Sequence, residues 1–121
     1  MIPKFRMIDP ETNQLKEVFF IDLLRGNVWF DADEEAVGYK LEDVHLMQST
    51  GLHDENKEEV FQDDIVWHDQ NEEYGVVEID EAKFVIRWQN GYSEDLFERI
   101  DLLEVVGNIH EHPELLIQPN E

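Results

Sequence analysis

With 121 residues, no cysteine and 30 acidic side chains against 9 basic ones, the chain carries a formal charge of −21. These figures exclude disulfides and thiolate metal or redox sites, and they disfavour direct DNA or RNA binding, because neutralising phosphates takes clustered Lys and Arg. Leu, Ile, Val and Phe still supply 38 residues, enough apolar surface for one domain to fold despite its charge.

Residues 5–8 read as a short first strand. Asp9-Pro10-Glu11-Thr12-Asn13 follows as a turn, with a proline-fixed φ and Asx hydrogen bonding. The first six residues turn polar before a signal segment could form, and no apolar run is long enough to span a bilayer. With the missing cysteines, this points to a soluble protein of a reducing cytoplasm. Residues 18–21 predict an apolar strand, too short and too rich in β-branched and aromatic residues for a helix. Residues 28–30, after Gly26-Asn27, predict another. Residues 31–43 hold six acids, Asp31, Asp33, Glu34, Glu35, Glu42 and Asp43, against Lys40 alone. That is the composition of a solvated loop or one exposed helical turn. Residues 44–48 read as a strand that stops at Gly51, and residues 54–58 as a turn.

The second half has the clearest periodicity. In residues 64–68, Ile65 and Trp67 point to one face and Val66 and His68 to the other. In residues 83–88, Phe84, Ile86 and Trp88 share a face, the alternation of a half-buried strand. Residues 74–79 pair with that strand across Asp80-Glu81-Ala82, and Asn90-Gly91 predicts a type I′ hairpin turn. A further strand is expected near residues 102–109, a helical turn within 94–100, and a short terminal turn at 112–116 with Pro113 near its start. The fold class expected is mainly β with little helix: N-terminal strands over about residues 1–58 and a small antiparallel barrel over about 59–118, its strands within about 60–112.

Four segments together resemble the YopX-like proteins of bacteriophages and prophages. They are Lys4-Phe5-Arg6 with Asp9, the stretch from Leu46 through Ser49-Thr50-Gly51-Leu52-His53-Asp54 to Lys57, the strand entry Asp63-Asp64-Ile65-Val66, and the ending from Val106-Gly107-Asn108 to Leu116. The resemblance covers nearly the whole chain in order. It implies a mainly β fold of SH3-like barrel character, a phage or prophage origin, hence a bacterial cytoplasm, and no established activity. One departure is that Gln62-Asp63 stands where the family usually has a glycine before the Asp-Ile-Val step, which bears on the local turn geometry.

The constellations that could carry chemistry fail on spacing. His110 and His112 flank Glu111 and would lie on one side of a strand, but a zinc site needs three or four ligands and no others follow at a recognisable spacing. Residues 54–58 begin like a calcium loop, yet the sixth position is Glu59 and the twelfth Ile65, where the loop needs glycine and glutamate. Ser49 and Ser93 have no nucleophile elbow; Ser49-Thr50-Gly51 suits strand closure by side-chain to backbone bonds. Asp63-Asp64 are adjacent acids in a chain full of acids, and consecutive strand residues face opposite ways. No enzyme, cofactor or metal is expected.

The aromatics carry more. Trp67, Tyr92, Glu94 and Asp95 are the candidate partner-binding residues, because aromatic walls beside carboxylates can hold a cationic side chain. Trp88, sharing a face with Phe84 and Ile86, is equally explained as core. The expected function is a non-catalytic acidic module that binds a basic protein. The alternatives are a nucleic-acid mimic that inhibits a host DNA-binding protein, and a self-associating structural or assembly protein, a homo-oligomer.

Overall fold

Apolar side chains alternating along short β-branched segments can be buried together only on one face of a sheet. The computed structural model, which describes residues 4–117, builds antiparallel sheets from such segments. The chain divides into one unit up to Ser49 and another from Thr50 onward.

In the first unit, β1 (Phe5–Ile8), β2 (Leu15–Asp22), β3 (Asn27–Ala32), β4 (Glu35–Lys40) and the start of β5 (Leu46–His53) follow the order β4-β3-β2-β1-β5. Met7, Val28 and Phe30 are buried, with Val18, Ile21, Val37, Tyr39 and Leu46 packed against them. Each fully buried side chain of this size contributes roughly 1.5–3 kcal/mol. The expected strands at 5–8, 18–21 and 28–30 are all present. Residues 31–43 differ from expectation. Asp33 and Glu34, with φ of 51° and 69°, make a two-residue turn, and the chain returns as β4, ending in a 3₁₀ turn at Leu41–Asp43. The acids at the two ends concealed the alternation of Val37 and Tyr39, which face the core.

Asp9 binds the β1–β2 turn to β4. Its carboxylate accepts hydrogen bonds from the Glu11 amide at 3.0 Å, the Thr12 hydroxyl at 3.1 Å and the Tyr39 hydroxyl at 3.0 Å. Burial alone would raise its pKa, but these donors and the nearby Lys16 charge outweigh it and hold the group below the ordinary carboxylate range. The Tyr39 hydroxyl is pushed up, by burial and then by the Asp9 carboxylate it bonds.

The second unit takes β5 onward to β6 (Glu59–Phe61), β7 (Asp64–His68), β8 (Glu73–Asp80), β9 (Lys83–Trp88), β10 (Ser93–Asp95), the helix α1 (Leu96–Arg99) and β11 (Leu103–Asn108), with a closing 3₁₀ turn at Pro113–Leu116. Its five-stranded sheet has the order β10-β9-β8-β7-β11. Val66, Val77, Ile86, Trp88, Leu96 and Leu103 form the core, with Phe84 packed against it. Phe84, Ile86 and Trp88 thus share one core face as their alternation predicts, while Ile65 and Val85, on the opposite faces of their strands, are buried as well. Gly75 is required here: a Cβ would lie 2.4 Å from Ile86 Cγ2 and 2.9 Å from the Trp88 ring. The sheet is open, since no ladder joins β10 to β11 among the described residues. The mainly β class holds, but the expected barrel does not close. Strand alternation fixes faces, whereas closure requires pairing between the two edge strands.

Three local expectations are also corrected. Gly51 does not stop β5, which continues through it with φ 77° to His53. Asn90-Gly91 is no type I′ turn, because only Gly91 has positive φ, at 91°. There Gly91 N–H donates to the Trp88 carbonyl, and Asn90 Oδ1 accepts from the Tyr92 amide. His110 and His112 lie beyond the end of β11, in a turn and not on a strand.

The departure at Gln62-Asp63 resolves locally. Asp63, immediately before the Asp-Ile-Val step, has φ 73°, the left-handed conformation that glycine adopts most cheaply and that Asp tolerates better than most residues. Its amide donates to the Val77 carbonyl at 2.8 Å, its carbonyl accepts from the Ile109 amide at 3.0 Å, and its carboxylate meets His110 Nε2 at 2.8 Å. Three contacts hold a conformation the side chain disfavours.

Candidate functional site

Trp67 stands on β7 facing away from the core, opposite Tyr74 on β8 in the ladder register. Their rings lie 4.7 Å apart, tilted by 54°, and the Trp67 indole N–H reaches Asp69 at 3.4 Å. Trp67 is half-buried. Tyr92, in the turn after β9, is 62% exposed. No ring contact joins Trp67 to Tyr92 among the described residues, and β8 and β9 separate β7 from the β9–β10 turn.

Glu94 and Asp95 sit on β10 with their carboxylates already engaged. Glu94 Oε1 accepts from the indole N–H of the buried Trp88 at 3.2 Å, and Oε2 accepts from the Arg99 guanidinium. Asp95 pairs with Lys83 Nζ at 2.9 Å. The bonds raise both cations above their ordinary range: Asp95 by hydrogen bond and charge for Lys83, Glu94 likewise for Arg99. Thus Trp67 with Tyr74, and Glu94 with Asp95, form two separate groups, and the second fastens β10 and the end of α1.

The remaining carboxylates and imidazoles that attracted attention in the sequence are built into turns. Asp54, 5% exposed, accepts the Asn56 and Glu58 amides on Oδ1, at 2.9 and 2.8 Å, and the Val105 amide on Oδ2 at 2.7 Å. That explains an acidic loop with a calcium-like start: its first carboxylate caps the loop and one edge of β11. Asp64 takes the Phe61 amide at 2.8 Å. Asn108 organises the last turn, its Oδ1 accepting the His110 and Glu111 amides. His112 packs on Gly107, where a Cβ would meet the ring at 2.6 Å, and its Nδ1 accepts the Asn108 amide at 3.2 Å. Among the described residues no three His, Asp or Glu groups are placed to hold a metal ion.

Two surface features escaped the sequence reading. A groove of about 420 Å³ is lined by Val76, Glu78, Arg87, Trp88, Gln89 and Leu116. It is floored by the Arg87–Glu78 ion pair at 2.9 Å, whose hydrogen bond and charge raise the Arg87 pKa. The other is apolar. A bulge between Val18 and Phe20 leaves Phe19 and Phe20 exposed in succession, by 61% and 52%, and Leu23 and Leu24 at the β2–β3 turn by 82% and 88%. The signal was present, since two consecutive aromatics on a strand cannot both face one core.

The comparisons with known proteins agree with this architecture. A family model described as YopX protein matches residues 4–117. Among solved structures, the chain is similar to the crystal structure of protein EF1440 from Enterococcus faecalis, with a TM-score of 0.69 and 24% sequence identity over 97% of this chain and 99% of that one. At that identity the likeness speaks for the fold alone. No curated protein matches the chain.

Proposed function

The chain belongs to the YopX protein family, and from that premise we propose that it is a non-catalytic acidic module that binds a basic protein partner. The observation that carries this is how the few cations are used. Lys4, Arg25, Lys83, Arg87 and Arg99 are each paired with a carboxylate of the same chain, Glu17, Asp22, Asp95, Glu78 and Glu94. With 30 acids against 9 bases, the charge left to meet a partner is negative. A surface of one sign steers cationic partners and repels phosphate backbones. The non-catalytic part is supported by Asp9, Asp54 and Asp64, the buried carboxylates, which all accept backbone amide bonds. A phage or prophage origin and a place in the bacterial cytoplasm belong to the same reading, and the absence of cysteine favours the latter.

The test is capture from bacterial lysate on immobilised protein at low salt, followed by a salt gradient. Basic proteins retained at low ionic strength and released as the Debye length shrinks from about 30 Å to about 3 Å support the reading. Capture that high salt leaves unchanged overturns it.

A further inference from the structure

We propose that the outer edge of β4 is a docking strand, which an extended lysine- or arginine-bearing segment of a partner protein joins as an additional antiparallel or parallel strand. This rests on the acidic-module reading and gives it a location. The protein protects its other sheet edges and leaves this one open. An edge strand offers unpaired N–H and C=O groups, and soluble proteins blunt such edges. Here β6 and β10 are only three residues long, and the Phe61 amide of β6 is taken by Asp64. On β11, the Val105 amide is capped by Asp54 Oδ2 and the Leu103 carbonyl by the Glu55 amide. β4 runs for six residues with no proline, no bulge and an unbroken register to β3.

The hairpin geometry says which groups are open. With Asp33 and Glu34 both left-handed, the β3–β4 connection is a two-residue turn, and the flanking pair Ala32 and Glu35 exchange hydrogen bonds. Alternation from that pair directs Glu35, Val37 and Tyr39 toward β3. It turns the backbone groups of Ala36, Gly38 and Lys40 outward, and those three residues are exposed. None of them is bonded elsewhere among the described residues.

Gly38 adds a side-chain contact. It lies opposite Trp29 in the ladder, and a Cβ there would be 2.7 Å from Trp29 Cε3, so the indole lies flat against the strand beside the open edge. A side chain arriving opposite Gly38 on the same face of the sheet comes beside this ring, a contact that suits an apolar chain or the methylene stem of a lysine.

Charge selects the occupant. Asp33, Glu34 and Glu35 stand at one end of β4 and Glu42 and Asp43 beyond the other, with Lys40 the cation between them. A second copy pairing antiparallel about Gly38 would bring Asp33 toward Asp43 and Glu34 toward Glu42, acid on acid at both ends. A basic segment meets complementary charge at both.

The test uses a short synthetic peptide of alternating lysine and valine, and a second of identical sequence N-methylated at every residue, so that neither edge retains an N–H. The second keeps its charge but cannot form the ladder. The expected result is salt-sensitive binding of the first, weakened by roughly tenfold or more in the second, with slowed amide exchange at Ala36, Gly38 and Lys40. Ala36→Pro, which removes an outward N–H at an edge position that tolerates proline, should weaken binding similarly. Equal salt-sensitive binding of both peptides overturns the docking strand while leaving the acidic-module reading intact. No binding of either overturns both. A wild-type dimer in light scattering that Ala36→Pro dissociates assigns the edge to a second copy and also overturns the proposal.

Discussion

Asp9 shows how a single carboxylate in this chain can be structural and still leave a measurable signature. It is 6% exposed and is held by the Glu11 amide and the Thr12 and Tyr39 hydroxyls, so its ionised form is favoured in the folded state. A group whose folded pKa is depressed contributes stability that is fully present above the unfolded pKa, near 3.8 here, and is lost as pH falls through the folded value. Asp9→Asn keeps the shape but removes the charge. Hydrogen bonds to charged groups are worth about 1.5–3 kcal/mol each, with only part lost in an amide, so a deficit of about 1–2 kcal/mol is expected near pH 7. Measuring urea unfolding of both proteins across pH isolates the site, because every other carboxylate cancels in the difference. The gap should narrow as pH falls below the unfolded pKa and through the depressed folded value, where the wild-type group becomes neutral as well. A deficit that is the same at pH 3 and pH 7 would contradict the assignment.

At the scale of elements, much of the second unit was legible and much of the first was not. Phe84, Ile86 and Trp88 announced β9 and its buried face, and the partnership of β8 with β9 across Asp80-Glu81-Ala82 is the observed register, Asp80 opposite Lys83. β4 was hidden because its acids are at the turn and the ends, while only Val37 and Tyr39 carry the core pattern. The candidate residues divided likewise. Trp67 and Tyr92 could be placed on strand and turn from sequence, but the bonds of Glu94 to Trp88 and Arg99 join residues that no periodicity relates. Turn chemistry misled in both directions. The Asn-Gly pair sits where only the glycine is left-handed, and the two-residue left-handed turns fall on Asp33-Glu34 and Glu81-Ala82, the latter with φ of 50° and 67°. Strand pairing imposes those conformations, at a cost of roughly 1–2 kcal/mol per residue relative to glycine. Replacing Glu81 by Asn and Ala82 by Gly together should therefore stabilise the protein by about 1 kcal/mol or more, after the entropy that glycine costs. A thermal melt reads this as a rise of several degrees. A variant melting at or below the wild type would show that the turn carries no such strain.

For the molecule as a whole, the question is whether attraction or repulsion dominates among its charges. The ion pairs that Lys4, Arg25, Lys83, Arg87 and Arg99 make with carboxylates lie between exposed or half-exposed side chains, where each is worth about 0–1 kcal/mol. Those pairs act over a few ångströms, so added salt weakens them only in part. Repulsion among the surplus acids, which leave the chain at −21, acts over the longer distances that salt screens best. The Debye length falls from about 30 Å at 0.01 M to about 8 Å at 0.15 M, and this removes much of the like-charge term that opposes the compact state. Stability should thus rise between very low and moderate salt, the reverse of a protein held by its surface ion pairs. Melting temperatures in dilute buffer with sodium chloride raised over that range provide the measurement, and chloride suffices because the effect is screening and not specific binding. A melting temperature that stays level or falls would mean that the ion pairs outweigh the surplus. The excess acid would then be too widely spread to repel itself, and the same spread would weaken its pull on a basic partner.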